Sequence, residues 1–435
     1  MRWPGAVYDG EAAQKRYIHQ IETTAKELGV SINIRSTPIH SLEEGEKWIN
    51  EAQGQRSDGL FLVVHDRQEH SWPTAMNAIK SGIPTVVYSP VGTAFTVNTS
   101  PADALNKGLI CSTDDFSQAL YGMKMLKAGT KLRETKVVVL KGKERRNDEV
   151  KHFGTKLAYV PAGDFLDEYN RIPMTGEIKQ MADDYIRDAA QMMGTTKQDV
   201  LNGIKSYTVA KNILEREKAD AITMDCLGAL GKSKISLPCI SWSKMNDDGI
   251  PAACEADINA VVSHCLVQYL FDRPGFQQDP VPDSSKDSLI GSHCSCPTRL
   301  NGFSKTPEPY DLSFHHGKRD AVPKTVWKVG QKVTVFQVVL DPDKNWGRGL
   351  FAHRFPIDEN DARHEMIIST GEVIENISVP PSGGCVVSIN VKLDGVNETS
   401  DILSYPGFHQ IFFYGDYKKK LKEYCRLFNL KPLVV

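Results

Sequence analysis

Short, unbroken apolar runs alternate with helical stretches through the first half of this chain, and that alternation narrows its possible folds more than any other feature. The runs at residues 59–64, 83–88, 136–140 and 221–224 lack the polar residue at every second position that marks a half-exposed strand, so each predicts a strand buried on both faces. Between them, apolar residues recur at helical spacing. Tyr17, Ile18, Ile21, Ala25 and Leu28 do so in a stretch from Glu11 that stops at Gly29, and similar stretches cover residues 42–52, 73–80, 175–193 and 197–218. Two further runs, 30–34 and 237–241, also predict strands. Such a sequence of elements implies parallel sheets covered by helices, hence an α/β fold of two doubly wound parallel-sheet domains that meet near residues 129–135.

Beyond Pro297 the pattern changes to β-rich stretches at 332–340, 350–354, 365–374 and 385–393, predicting a mostly antiparallel C-terminal domain. It closes with the run 409–414, a helix over 416–428 and the apolar end 432–435. The 435 residues exceed what one hydrophobic core organises. The expected division is a first α/β domain at 1–130, a second at 131–298 and the β-rich domain at 299–435.

Charge excludes some partners. With 52 Lys plus Arg against 54 Asp plus Glu, the net charge of −2 gives no basic footprint for nucleic acid or an anionic membrane, so a neutral small molecule is the expected partner. No apolar run approaches the ~20 residues that span a bilayer. The nine cysteines follow no regular framework, and Cys294-Ser-Cys296 is too tight for a zinc knuckle, so the thiols are expected to be reduced. The opening Met1-Arg-Trp-Pro-Gly lacks the apolar core of a secretory signal, and the expectation is a cytoplasmic chain, although a leader removed beforehand would leave the same sequence.

In open α/β sheets ligands bind past the carboxyl ends of the strands. His65, Ser89, Lys141 and Asp225 each follow an apolar run there, and each is also a natural helix cap or turn residue. Gly228-Ala-Leu-Gly231 lacks the continuation of a phosphate loop. A denser group starts at Ala253-Cys-Glu255-Ala-Asp257, at the mouth of a helix with apolar positions Ile258, Val261, Val262, Cys265 and Leu266. Asp279 lies in the Pro/Gly-rich segment 273–282, and His293 in Gly291-Ser-His-Cys-Ser-Cys-Pro297. Singly, these are a dipole partner, a turn former and a loop histidine.

Together, Ala253-Cys-Glu255-Ala-Asp257, the Asp279 segment, Gly291 to Asn301, and Pro406-Gly-Phe-His409-Gln-Ile-Phe-Phe-Tyr-Gly-Asp416 resemble the L-fucose isomerase family and its distant L-arabinose isomerase relatives. The motifs cover residues 253–416, and the rest is similar only in its layout of elements. The resemblance implies a homo-oligomer, trimer or hexamer, in which a glutamate, a following aspartate and a histidine near the C-terminus bind a divalent metal, usually manganese. These positions fall on Glu255, Asp279 and His409, with the acids 24 residues apart as in the family. It further implies that Glu255 and Asp279 double as the catalytic acid/base pair. Arg16, Asp225, His293, His316 and Phe408 are candidates for the substrate wall, with His315 beside them. Phe408 stands where the family has a substrate-contacting asparagine, and the chain lacks N-terminal material of a full family member, so that wall is expected to differ.

The residue types suit the chemistry. Moving a proton between adjacent sugar carbons through an enediol needs a base at carbon and an electrophile holding two oxygens. Two carboxylates and an imidazole hold a hard divalent ion with positions open. The same two acids also fit a glycoside hydrolase, retaining at a carboxyl separation of ~5 Å and inverting at ~6.5–9.5 Å, with Phe408 in an aromatic subsite. A third reading is a non-catalytic sugar-binding protein, since paired α/β units form binding crevices too.

Overall fold

A computed structural model of the chain describes residues 9–231, 235–315, 320–340, 364–378 and 385–435. His316 and the strand expected at 350–354 lie outside them. Among the described residues no helix is long and apolar enough to cross a membrane. Residues up to Lys131, joined by Lys420–Lys431, form one compact unit, and Leu132–Lys419 with Pro432–Val435 form a second.

In the first unit α1 (Gly10–Leu28) starts where the Asp9 carboxylate accepts from the Ala12 amide at 3.0 Å and stops at left-handed Gly29. It is followed by α2 (Leu42–Gly54), β1 (Leu60–Val63), α3 (Ser71–Lys80), β2 (Thr85–Ser89), α4 (Thr96–Asp103), β3 (Gly108–Ser112) and α5 (Phe116–Glu134). The strands pair in parallel in the order β1-β2-β3. That order runs one way, so among the described residues this sheet is singly wound, not doubly wound as expected. Residues 30–34 form no strand either. Their β-branched side chains find no sheet to complete, Ile32 being 40% exposed, and β propensity without a pairing neighbour does not make a strand.

The second unit holds β4 (Lys136–Leu140), β5 (Arg146–Val150), β6 (Thr155–Val160), α6 (Ala162–Arg171), α7 (Gly176–Asp188), α8 (Lys197–Glu217), β7 (Ala221–Met224), α9 (Cys226–Leu230), α10 (Cys239–Asp247), β8 (Ala252–Cys254) and α11 (Ile258–Phe271). The strand order is β5-β6-β4-β7-β8, parallel except for the edge strand β5. The chain leaves β4 on one side for β6 and returns on the other for β7, which makes this sheet doubly wound. The run 237–241 is the start of helix α10 rather than a strand. Pro238 precedes the helix, where a missing N–H costs nothing, and Cys239 to Ser243 are all buried, which gives the segment the continuous apolar look of a strand.

The strands β9 (Phe276–Asp283), β10 (Ser288–His293), the hairpin β11 (Tyr310–Phe314) and β12 (Ala321–Thr325), then β13 (Lys332–Val339), β14 (Glu365–Ile377), β15 (Val387–Leu393) and β16 (Gln410–Tyr414) pair antiparallel, and β17 (Lys431–Val434) lies beside β14. Six of them follow the order β13-β16-β9-β10-β15-β14, and β14 pairs back onto β13, closing a barrel. Two barrel strands, β9 and β10, come before residue 299. Asp279 thus sits on a strand and is not a turn former, although its segment is rich in Pro and Gly. Pro280 and Pro282 are tolerated because pairing with β16 has ended at Gln278, so that flank of β9 asks for no N–H. Phe276, Trp327, Phe412 and Tyr414 from the barrel region continue into Val138, Leu140 and Met224 of the sheet as one core, each such side chain contributing about 1.5–3 kcal/mol of burial.

Candidate active site

Glu255 occupies the turn between β8 and α11. The preceding Cys254 amide donates to Gln277 Oε1 on β9 at 2.8 Å, tying the sheet's edge strand to the barrel. Glu255 and Ala256 then adopt left-handed backbone, φ 63° and 53°, and Asp257 caps α11 by accepting from the Ala260 amide at 2.9 Å. Two consecutive L-residues in that region cost roughly 1–3 kcal/mol each, a cost that persists where surrounding structure enforces it. The enforcing contacts are the Asp257 cap and the Ala256 amide, which donates to the Met224 carbonyl at 2.9 Å.

The other members come from the barrel ladder. Gln410 on β16 pairs with Gln278 on β9, so one step further His409 faces Asp279. On the opposite flank Ser292 of β10 pairs with Asp279, and His293 is next along. His409 is itself left-handed, φ 52°, and follows Gly407 at φ 89°. A Cβ at Gly407 would lie 2.5 Å from Gln337 Oε1 and 2.6 Å from Gln410 Nε2, so only glycine lets the chain turn there. Gln337 of β13 grips the next residue from both sides, accepting from the Phe408 amide at 3.2 Å and donating to its carbonyl.

The result is a compact polar group within the second unit. His409 Nδ1 is 2.8 Å from Asp257 Oδ2, and its Nε2 lies 3.5 Å from Glu255 Oε2 and 3.2 Å from Asp279 Oδ1. Ligand atoms of Glu255, His293 and His409 all fall within 4.8 Å of one another. Burial alone would lower the His409 pKa, but the Asp257 and Asp279 carboxylates beside it override this and lift it to about 10. Burial pushes the Asp279 carboxyl up, and the His409 and His293 rings more than reverse that, leaving it below the ordinary value. His293 is pushed down, chiefly by burial.

Three atoms here are buried without a hydrogen-bond partner: His409 Nε2, His293 Nε2 and Asp279 Oδ1. His409 Nε2 and Asp279 Oδ1 are at ion-pair distance but not aligned for a hydrogen bond. Buried orphans of this kind are costly unless something else satisfies them. A Glu255 oxygen with the His293 and His409 nitrogens, and Asp279 Oδ1 beside His409, form a donor set for a divalent ion, and the residues present fit one. Asp257, accepting at the far nitrogen of His409, is then the carboxylate that fixes the ring.

The other residues singled out in the sequence fall in different places. Phe408 is 44% exposed and its ring leans on His409 at a centroid distance of 4.3 Å. Asp225 follows β7, and its side chain accepts from the Gly228 amide at 3.1 Å, so it is in use as the cap of α9. Arg16 belongs to the first unit, where it lies over the Tyr17 ring at 5.2 Å. His293, expected on the substrate wall, stands among the candidate ligands instead. Asp257 is the functional residue that the motifs alone do not single out, and the signal for it is a carboxylate two residues after Glu255 and just ahead of a helix.

No family model matches the chain. Curated relatives do. Sulfoquinovose isomerases of Priestia aryabhattai and Priestia megaterium are each 22% identical to it over 255 residues, 57% of this chain and 52% of the relative. The chain therefore spans about half the length of the curated relatives it matches.

Proposed function

We propose that the protein is a metal-dependent aldose–ketose isomerase acting on a monosaccharide. The observation that carries the reading is the meeting of Glu255, Asp279, His293 and His409 around buried, unpartnered ligand atoms. The sulfoquinovose isomerase relatives support a sugar isomerase in general, and the donor set suits manganese or a similar divalent ion.

Glu255, Asp279 and His409 would hold the ion, with His293 adjoining. When bound, such an ion supplies Lewis acidity to two neighbouring sugar oxygens. Glu255 approaches His409 Nε2 from the turn after β8 and Asp279 approaches it from β9, and both retain exposed surface, 38% and 33% of their side chains. A sugar lying there meets a carboxylate at each of two adjacent carbons. One takes the proton from the carbon beside the carbonyl and returns it to its neighbour, while the other moves the hydroxyl proton between the two oxygens. Asp257 keeps the His409 ring oriented throughout, and the exposed face of Phe408 offers an apolar wall for a sugar ring. A glycoside hydrolase on the same acids has no use for the His409 and His293 nitrogens beside them, which the metal-dependent reading does use.

The test is ketose formation from a panel of neutral aldoses with sulfoquinovose alongside, run with Mn2+ and after chelation. Metal-dependent turnover of one member supports the reading. Turnover untouched by chelation, or none across the panel with metal present, removes it.

A further inference from the structure

A second ligand group lies next to the first and contains thiols instead of carboxylates. We propose that Cys239, Cys294 and His315, with Cys385 as the fourth ligand, form a site for a thiophilic metal ion of the Zn2+ or Cd2+ type. Cys239 opens α10, Cys294 follows β10, His315 follows β11 and Cys385 precedes β15, so four separate elements of the second unit bring them together.

The distances match what such an ion requires. Cys239 Sγ is 3.4 Å from Cys294 Sγ and 4.0 Å from His315 Nδ1, and the ligand atoms of Cys239, Cys294 and His315 lie within 4.8 Å of one another. Cys385 Sγ is 3.8 Å from the other nitrogen of the same ring. With metal–sulfur bonds of about 2.3 Å, two thiolates on a tetrahedral ion stand roughly 3.8 Å apart, so Cys239 and Cys294 need shifts of only tenths of an ångström, whereas Cys385, which faces the other nitrogen of the His315 ring, moves further to complete the set. Cys239 and Cys294 are buried, whereas Cys385 is partly exposed and leaves a way in. Cys239, Cys294 and Cys385 take part in no disulfide. Three thiols and an imidazole form a closed, structural type of coordination with no open position, in contrast to the oxygen-rich group around Glu255. On binding, each thiol gives its proton to solvent and the sulfur lone pair goes to the metal, with no change of oxidation state.

The experiment uses the full chain, freed of metal and kept reduced, titrated with Cd2+ alone and with Co2+ alone. Sulfur ligation is expected to give one equivalent of thiolate-to-metal charge-transfer absorption, and Co2+ the visible bands of a tetrahedral ion. Both should be lost in Cys294→Ser and Cys239→Ser, and Cd2+ binding weakened at least tenfold in Cys385→Ser, the least buried position and so the variant safest to fold. His409→Ala and Cys254→Ser should keep the bands, which separates this site from the isomerase reading. Absence of charge transfer in the parent protein overturns the proposal, as does loss of the bands in Cys254→Ser with retention in Cys239→Ser.

Discussion

Asp257 Oδ2 lies 2.8 Å from His409 Nδ1, while the other oxygen of the same carboxylate accepts from the Ala260 amide at 2.9 Å. One side chain therefore starts helix α11 and fixes the ring of a candidate ligand 152 residues away. Asp257→Asn keeps an acceptor for the cap and removes the negative charge behind the imidazole. Mn2+ affinity is expected to fall roughly 10–100-fold with little change in Tm, whereas Asp257→Ala also loses about 1 kcal/mol through the cap. Calorimetric Mn2+ titration beside thermal melts checks it, and an Asn variant with parental affinity would count against the orienting role.

Glu255→Gln and Asp279→Asn are each expected to lower kcat by about 10²–10⁴-fold on whichever aldose proves active, because each removes a proton-transferring group. Saturating Mn2+ should raise the melting temperature of the parent protein, by about 2.7 kcal/mol of stability at 100 times Kd, and both variants should lose most of that gain. An amide variant with parental kcat would contradict the assigned roles.

Gly407 is the hinge that aims His409. Gly407→Ala forces a left-handed L-residue, at roughly 1–2 kcal/mol, and drives a methyl into Gln337 and Gln410. The expected loss is about 2 kcal/mol or more in denaturant unfolding, together with weaker Mn2+ binding. A silent substitution would show that the turn is not constrained.

Asp247 carries a pH-dependent stability. Its buried carboxylate accepts from the Thr298 amide, the Thr298 hydroxyl at 2.7 Å and the Arg299 amide at 2.7 Å, yet burial outweighs these and raises its pKa to about 6 from 3.8. The folded chain then holds the proton more tightly than the unfolded chain does. Stability from this group is present below the unfolded value and is lost as pH rises from about 4 to about 6, by at most about 3 kcal/mol. Asp247→Asn, which cannot ionise, should flatten that part of the profile in urea midpoints measured across it. Parallel profiles for parent and variant would refute it.

Much of this architecture is written in local patterns. The helices at 10–28, 42–54 and 197–217, the strand β1, itself only half-buried beyond Leu60, the buried strands β2, β4 and β7, and the change to antiparallel strands follow from periodicity and end signals, which depend on neighbours within a few residues. Even there, Val30 to Ile34 and Leu237 to Ser241 misled, since an apolar run carries no record of whether a sheet or a helix bundle will cover it. The candidate residues Glu255, Asp279 and His409 were visible as motifs, and their side chains meet in the fold. Tertiary structure alone decided the rest. The closed barrel sets the register that places His409 and His293 on either side of Asp279, the left-handed turn at Glu255 and Ala256 aims a carboxylate at them, and helix α10 with strands β10 and β11 brings Cys239, Cys294 and His315 together. Strand pairing between distant segments is a property of the whole packed chain, so no local pattern could have specified it.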